Sequence, residues 1–226
     1  MHWFIIGCCF GSFICACAFR YENVMLKPFL HSVCPTCHQR IAWYDLIPVL
    51  SWLILKGKCR QCHASIPVDH IVCELLTGTL FLWIGQKVSE TEILFKLAIT
   101  CVLLYAAWTD GYYGLIPDRC HLFLLLIFFI HPNELKISSI FFSLIVLIVL
   151  GILASLSQSM GFGDVKLIAA CTLFLTWIEL AQLMCIASNT ALLCQIPSFI
   201  QHKKRDKIRF APYLTFSALL ILLDFL

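Results

Sequence analysis

Ser138–Ser157, SSIFFSLIVLIVLGILASLS, runs for twenty residues without a charge. About 20 apolar residues make a helix long enough to cross the hydrocarbon core of a bilayer, so this stretch predicts a membrane helix. Four residues beyond it stands Gly161-Phe162-Gly163-Asp164, where a carboxylate opens the next apolar run, Leu167 to Trp177. A second carboxylate, Asp110, closes the run from Leu94 to Trp108. An ionisable group at the edge of a membrane helix is costly and marks a functional site by default.

The same reading extends over the chain. Of 226 residues 61% are hydrophobic and 13% charged, with a mean hydropathy of +0.90. A soluble domain carries roughly a quarter charged residues, so the composition is that of a membrane protein. Eight spans are expected, at about 3–19, 69–86, 92–109, 115–131, 138–157, 165–178, 180–200 and 210–226. The first lacks a basic segment before it, and Arg20 follows it, so it reads as a retained helix entering with its N-terminus outside.

Let each span cross once from that start. Arg20, Lys27, Arg40, Lys56, Lys58, Arg60, Arg119, Lys166, Lys203, Lys204, Arg205, Lys207 and Arg209 then fall inside. Lys87, Lys96 and Lys136 fall outside or within spans. That asymmetry is what the positive-inside rule demands. Both termini are therefore expected outside, with Asp110 and Asp164 at the cytoplasmic face. The expected architecture is an all-α polytopic membrane protein of about eight helices. Its segments are a first helix (1–19), a cytoplasmic zinc-binding domain (20–68) and a seven-helix membrane domain (69–226). The basic tract from His202 to Arg209 reads as a topology anchor attracted to anionic lipid.

The cytoplasmic loop carries Cys34-Pro-Thr-Cys37 and Cys59-Arg-Gln-Cys62. Two such knuckles, 21 residues apart, approach the spacing of a closed four-thiolate zinc site, which is structural because it leaves no open coordination position. The reducing cytoplasm favours metal over disulfide. The aromatic and apolar residues between them, Ile41 to Leu53, suit the headgroup boundary. The other cysteines lie mostly singly in apolar runs, where they act as small hydrophobes.

Two carboxylates brought together from separate helices can run acid/base chemistry on water. They share one proton near neutral pH, because like charges at hydrogen-bond distance do not both ionise cheaply. Gly161 and Gly163 would let a substrate backbone approach closely. Lys166 would hold a negative charge or mark the interface. Asp118, beside Pro117, reads as a helix cap, and Glu74 as a hydrogen-bonding group within the bundle.

In order along the chain, these features resemble the type IV prepilin peptidases, membrane aspartic peptidases that process prepilins and pseudopilins. The likeness runs from Gly11-Ser12-Phe13 through Arg20, the two cysteine pairs, Trp43-Tyr44-Asp45 and Ser51-Trp52-Leu53. It continues through Glu74-Leu-Leu-Thr-Gly78, both aspartate motifs and Phe210-Ala-Pro-Tyr213. The resemblance implies a catalytic pair of Asp110 and Asp164 and zinc on Cys34, Cys37, Cys59 and Cys62. It implies a prepilin with a short basic leader and an apolar helix as substrate, cut on the cytoplasmic side of the bacterial membrane. Many members also methylate the new N-terminus with S-adenosylmethionine. Cys15 stands where the family's N-terminal signature usually has Asn, a departure that bears on methylation rather than on cleavage. The compact length looks like the competence-pseudopilin processors of Gram-positive bacteria. No nucleic-acid partner is expected. Two other readings start from the same residues. The Cys-x-x-Cys pairs would suit a membrane thiol oxidoreductase, and the aspartates a proton- or metal-coupled transporter.

Overall fold

The computed structural model describes residues 1–21, 32–131, 137–157, 160–200 and 209–224. Several basic residues of the topology reading, Lys27, Lys136 and the tract from 202 to 208, lie outside the described residues. The described structure is helical, with no strand. In order come α1 (His2–Phe19), a 3₁₀ turn (Trp43–Leu46), α2 (Leu50–Ile54), α3 (Val68–Lys87) and α4 (Glu90–Tyr113). Then follow α5 (Asp118–Ile130), α6 (Ile137–Ser157), α7 (Phe162–Cys171), α8 (Trp177–Ile200) and α9 (Ala211–Leu222). A helix stands at each of the eight places where the hydropathy predicts one. Five of them, α1, α3, α4, α6 and α8, are long and apolar enough to cross a membrane. The chain forms two compact units, Met1–Leu97 and Ala98–Leu226, so α3 groups with α1 and the cysteine loop by compactness.

The first unit is built on the crossing of α1 and α3, which small residues make close. A Cβ on Gly7 would lie 2.7 Å from Phe81 Cβ and from the Thr77 carbonyl, and one on Gly11 would lie 2.8 Å from the Cys73 carbonyl. Across the contact, a Cβ on Gly78 would lie 2.6 Å from Cys8 Sγ. Lipid tails are as apolar as side chains, so membrane helices associate by such close packing, and Gly-x-x-x-Gly spacing is its usual signature. One turn on, Cys15 and Ala18 continue the seam with no exposed surface.

In the second unit α7 packs against α5, α6 and α9. Its residues Val165 and Leu167 through Cys171 are all buried, as befits a helix apolar on every side. Ser143 Oγ on α6 donates to the Ala169 carbonyl at 2.6 Å, a polar tie between apolar helices. The expected span 165–178 divides. Thr172 Oγ1 bonds back to the Ala169 carbonyl, and Leu173 and Phe174 donate to carbonyls three residues back. This tightened last turn ends α7, and α8 starts afresh at Trp177.

Candidate active site and metal centre

The helix breaks between Tyr113 and Asp118, a stretch that holds Gly114 and Pro117, and Asp110 lies before that break. α4 runs on to Tyr113, the Gly114 N–H closes on the Asp110 carbonyl at 2.8 Å, and Gly114 takes φ +70°. That left-handed residue is the usual terminator, and it leaves Asp110 in the last helical turn. Asp164 likewise sits within the first turn of α7. The N-cap is Gly161, whose carbonyl accepts from the Asp164 N–H, so Asp164 is not occupied as a cap.

The fold brings these two carboxyl groups within electrostatic reach of each other. Asp110 is buried, and its Oδ2 has no hydrogen-bond partner among the described residues. Its carboxyl faces the backbone N–H of Ala211 at the head of α9 and the charge of Arg209. Arg209 in turn donates through its guanidinium to the Gly111 carbonyl. Asp164 is half-buried, and its Oδ2 lies 3.4 Å from where a Gly161 Cβ would be. Gly161 itself is exposed, and among the described residues a Cβ there would meet only the Asp164 carboxylate.

Asp118 is the first residue of α5 and makes no side-chain cap. Its carboxylate instead receives Lys166 Nζ at 2.7 Å, tying α5 to α7 beside Asp164. Lys166 therefore holds a negative charge, and that charge is internal. His121, one turn along α5, is buried with neither ring nitrogen hydrogen-bonded among the described residues; its Nδ1 lies 3.8 Å from Asp118 Oδ1, and the ring lies against the Gly163 backbone. Neither His121 nor Arg209 was legible as a site residue. His121 sits in an apolar run and Arg209 at the end of a basic tract, where the bland readings prevail.

In the first unit the two cysteine knuckles are copies of each other, 25 positions apart. The Cys34 N–H donates to the Gln39 carbonyl and the His38 N–H to the Cys34 carbonyl, while Cys59, Ala64 and His63 repeat the pattern. Isolated bridges close each turn, Val33 with Arg40 and Lys58 with Ser65. His38 and His63, each following a second cysteine, take φ 59° and 57°. Histidine enters this left-handed region more readily than most residues. The repeat is also written in the sequence, where Cys34, Cys37, His38 and Ile41 recur as Cys59, Cys62, His63 and Ile66.

The four sulfurs all lie within 4.8 Å of one another, and Cys34 Sγ is 3.8 Å from Cys62 Sγ. Zinc at about 2.3 Å from each of four thiolates sets them roughly 3.8 Å apart, so the cluster fits a tetrahedral metal. Burial opposes ionisation of Cys34, but the amides of Cys37 and Thr36 and the neighbouring thiols outweigh it and bring its pKa down to about 6. Cys62 is pushed up to about 11, with burial and the other three thiols outweighing the Ala64 amide. One sulfur of the cluster is thus ready as a thiolate near neutral pH.

The loop is tied to its surroundings at two points. Arg60 grips Asp45 with two bonds of 2.8 and 2.6 Å and lies over the Tyr44 ring. That contact holds the Asp45 carboxyl below the usual carboxylate range. Glu74, buried on α3, accepts from the Val49 N–H at 2.7 Å. Val49 has φ 63°, a genuine outlier for a β-branched residue, and Glu74 is what holds it there. Between loop and helices lies a cavity of about 690 Å³, lined among others by Arg20, Tyr44, Trp52 and Glu74. The Trp52 Nε1 donor is buried and unpartnered among the described residues.

Comparison with known proteins finds the same two regions. Residues 5–88 match the family described as Bacterial Peptidase A24 N-terminal domain, and residues 97–196 the Type IV leader peptidase family. A curated protein of Klebsiella pneumoniae named prepilin leader peptidase/N-methyltransferase is 32% identical over 83% of this chain and 90% of its own length. A protein of the same name from Legionella pneumophila is 32% identical over 89% of this chain and 75% of its own. One from Aeromonas hydrophila is 30% identical over 85% and 71%. No solved structure matches the chain significantly.

Proposed function

Since the chain belongs to the type IV leader peptidase family, we propose that it removes the basic leader of prepilins or pseudopilins through the pair Asp110 and Asp164. One observation supports this reading: two carboxyl groups, one at the end of α4 and one at the start of α7, lie within electrostatic reach of each other in the second unit. In the reaction, one carboxylate takes a proton from water and the water oxygen bonds to the scissile carbonyl carbon. The other carboxyl gives its proton to the carbonyl oxygen. Collapse of the tetrahedral species breaks the C–N bond and passes a proton to the leaving amine, which returns the pair to its starting state.

Gly161 and Gly163 give an extended substrate segment access to Asp164. Lys166, paired with Asp118, holds α5 against that approach and takes part in substrate binding by shaping its wall. The termini lie outside and the pair lies at the cytoplasmic face, an orientation supported by the lysine and arginine asymmetry. Cys34, Cys37, Cys59 and Cys62 hold a structural zinc ion, which locks the two knuckles together.

The cavity beside the loop favours a second activity at the first unit, methylation of the new N-terminus from S-adenosylmethionine. Its volume falls in the range of cofactor pockets. Glu74 and the free Trp52 donor give it the few polar groups such a site needs. The bound cofactor would supply an electrophilic methyl group. Tyr44 and Trp52 would flank it, while Glu74 would offer a carboxylate to a cationic centre.

Both activities are read in one assay. Purified protein is incubated with a prepilin and S-adenosylmethionine, and the mature N-terminus is weighed. Cleavage by wild type and its loss in Asp110→Asn and in Asp164→Asn are expected. Near-normal cleavage by either variant would refute the pair. A product without the added methyl mass would remove the second activity alone.

A further inference from the structure

Asp110 and Asp164 do not share the same surroundings. On the Asp110 side stand the guanidinium of Arg209 and the N–H of Ala211 at the head of α9. Arg209 is exposed, and its own hydrogen bond to the Gly111 carbonyl ties the last turn of α4 to the residue just before Phe210 and α9. On the Asp164 side the cation of the same helix, Lys166, is paired with Asp118. His121 is buried and lies against the Gly163 backbone. Among the described residues, the positive charge directed at the pair therefore comes from one side.

We propose that Arg209 is a positioning residue that divides the labour of the two aspartates. It fixes the Asp110 turn through Gly111 and keeps Asp110 as the anionic member of the pair. Asp110 is then the carboxylate that takes the proton from water, and Asp164 the carboxyl that protonates the scissile carbonyl. A fixed positive charge beside one of two coupled carboxyls places the shared proton on the other. The guanidinium suits the task because it donates in a rigid fork and stays charged at every working pH. This inference rests on the catalytic pair proposed above.

The test compares Arg209→Gln, Arg209→Lys and Arg209→Ala in the cleavage assay, with Asp110→Asn and Asp164→Asn beside them. Arg209→Gln keeps an N–H donor and loses the charge. It is expected to lower kcat by about 10- to 100-fold, the scale set by a mispositioned catalytic group, with KM changed less than about threefold because substrate binding is untouched. Arg209→Lys keeps the charge and loses the rigid fork, so its kcat should fall between wild type and Arg209→Gln.

Millimolar guanidinium should restore Arg209→Ala in a saturable way, since the site is exposed, and urea, its neutral isostere, should not. If Arg209→Ala does not insert, Arg209→Gln with the same additives replaces it. Wild-type kcat in Arg209→Gln, equal loss in Gln and Lys variants, or equal rescue by urea would overturn the inference. Active aspartate variants would instead refute the pair itself. Inactive aspartate variants beside a fully active Arg209→Gln would remove only the role of Arg209.

Discussion

Gly11→Ala probes the α1–α3 crossing with one methyl group. Its Cβ would stand 2.8 Å from the Cys73 carbonyl oxygen and 2.9 Å from Glu74 Cα. Carbon contacts settle at about 3.5–4.0 Å. Both obstacles are backbone, so no rotamer change relieves them and the helices must part by roughly 0.6–1 Å. Parting them also loosens the Gly7 contacts with Thr77 and Gly78, on the same seam. Overpacking of this kind costs about 1–3 kcal/mol, and replacing a mid-helix glycine by alanine returns up to about 1 kcal/mol. Taking the middle of each range, the net loss is about 1 kcal/mol, or a fall in Tm of roughly 2–4 °C for a chain of this size. Gly151→Ala is the matched control, because a Cβ there meets nothing within 4 Å. Thermal unfolding in detergent, followed by tryptophan fluorescence, should show the first variant destabilised and the second unchanged or slightly raised. Equal stability of the two variants would refute the close-crossing argument.

Glu74→Ala should strand the Val49 N–H and release its strained backbone, costing about 1–3 kcal/mol, visible as faster proteolysis between the knuckles and α3. Ser143→Ala removes the donor to Ala169 and should cost about 0.6–1.5 kcal/mol, read as a lowered Tm with no change in KM. Chelation, or Cys34→Ser, should release zinc and unlock the knuckles, measured by metal analysis and by thiol titration, which would then count four newly reactive sulfurs after chelation of the wild type and three in Cys34→Ser. The metal requires thiolates. Cys34, with its pKa brought to about 6, is ionised above that value and protonated below it. Protons compete with the metal for all four sulfurs, so zinc retention should weaken as pH falls, and retention unchanged well into the acid range would contradict the four-thiolate site.

Hydropathy located every long helix because a bilayer imposes length and composition on each one. It failed at Thr172, where a side-chain bond to the helix backbone ends α7 inside an apolar run. The cysteine spacing showed which four sulfurs would cluster, since few other uses need four thiols so placed. The repeat of the knuckles is visible there too, as Cys-x-x-Cys-His at 34–38 and again at 59–63, and the structure adds the shared backbone bonds and the left-handed histidines. The aspartates stood out as charges in apolar surroundings. Their supporting groups did not. The Lys166–Asp118 bond spans 48 positions and the Arg209–Gly111 bond spans 98, and pairings that distant are set by tertiary packing.

The cleavage rates of Asp110→Asn, Asp164→Asn and the double variant test the account at its centre. Groups that act as one unit are non-additive. Each single variant should lose at least about a thousandfold in kcat/KM, and the double variant should be no slower than the worse single one. Losses that multiply in the double variant, or a single variant that still cleaves at near the wild-type rate, would show that the two carboxyl groups do not work on the same water.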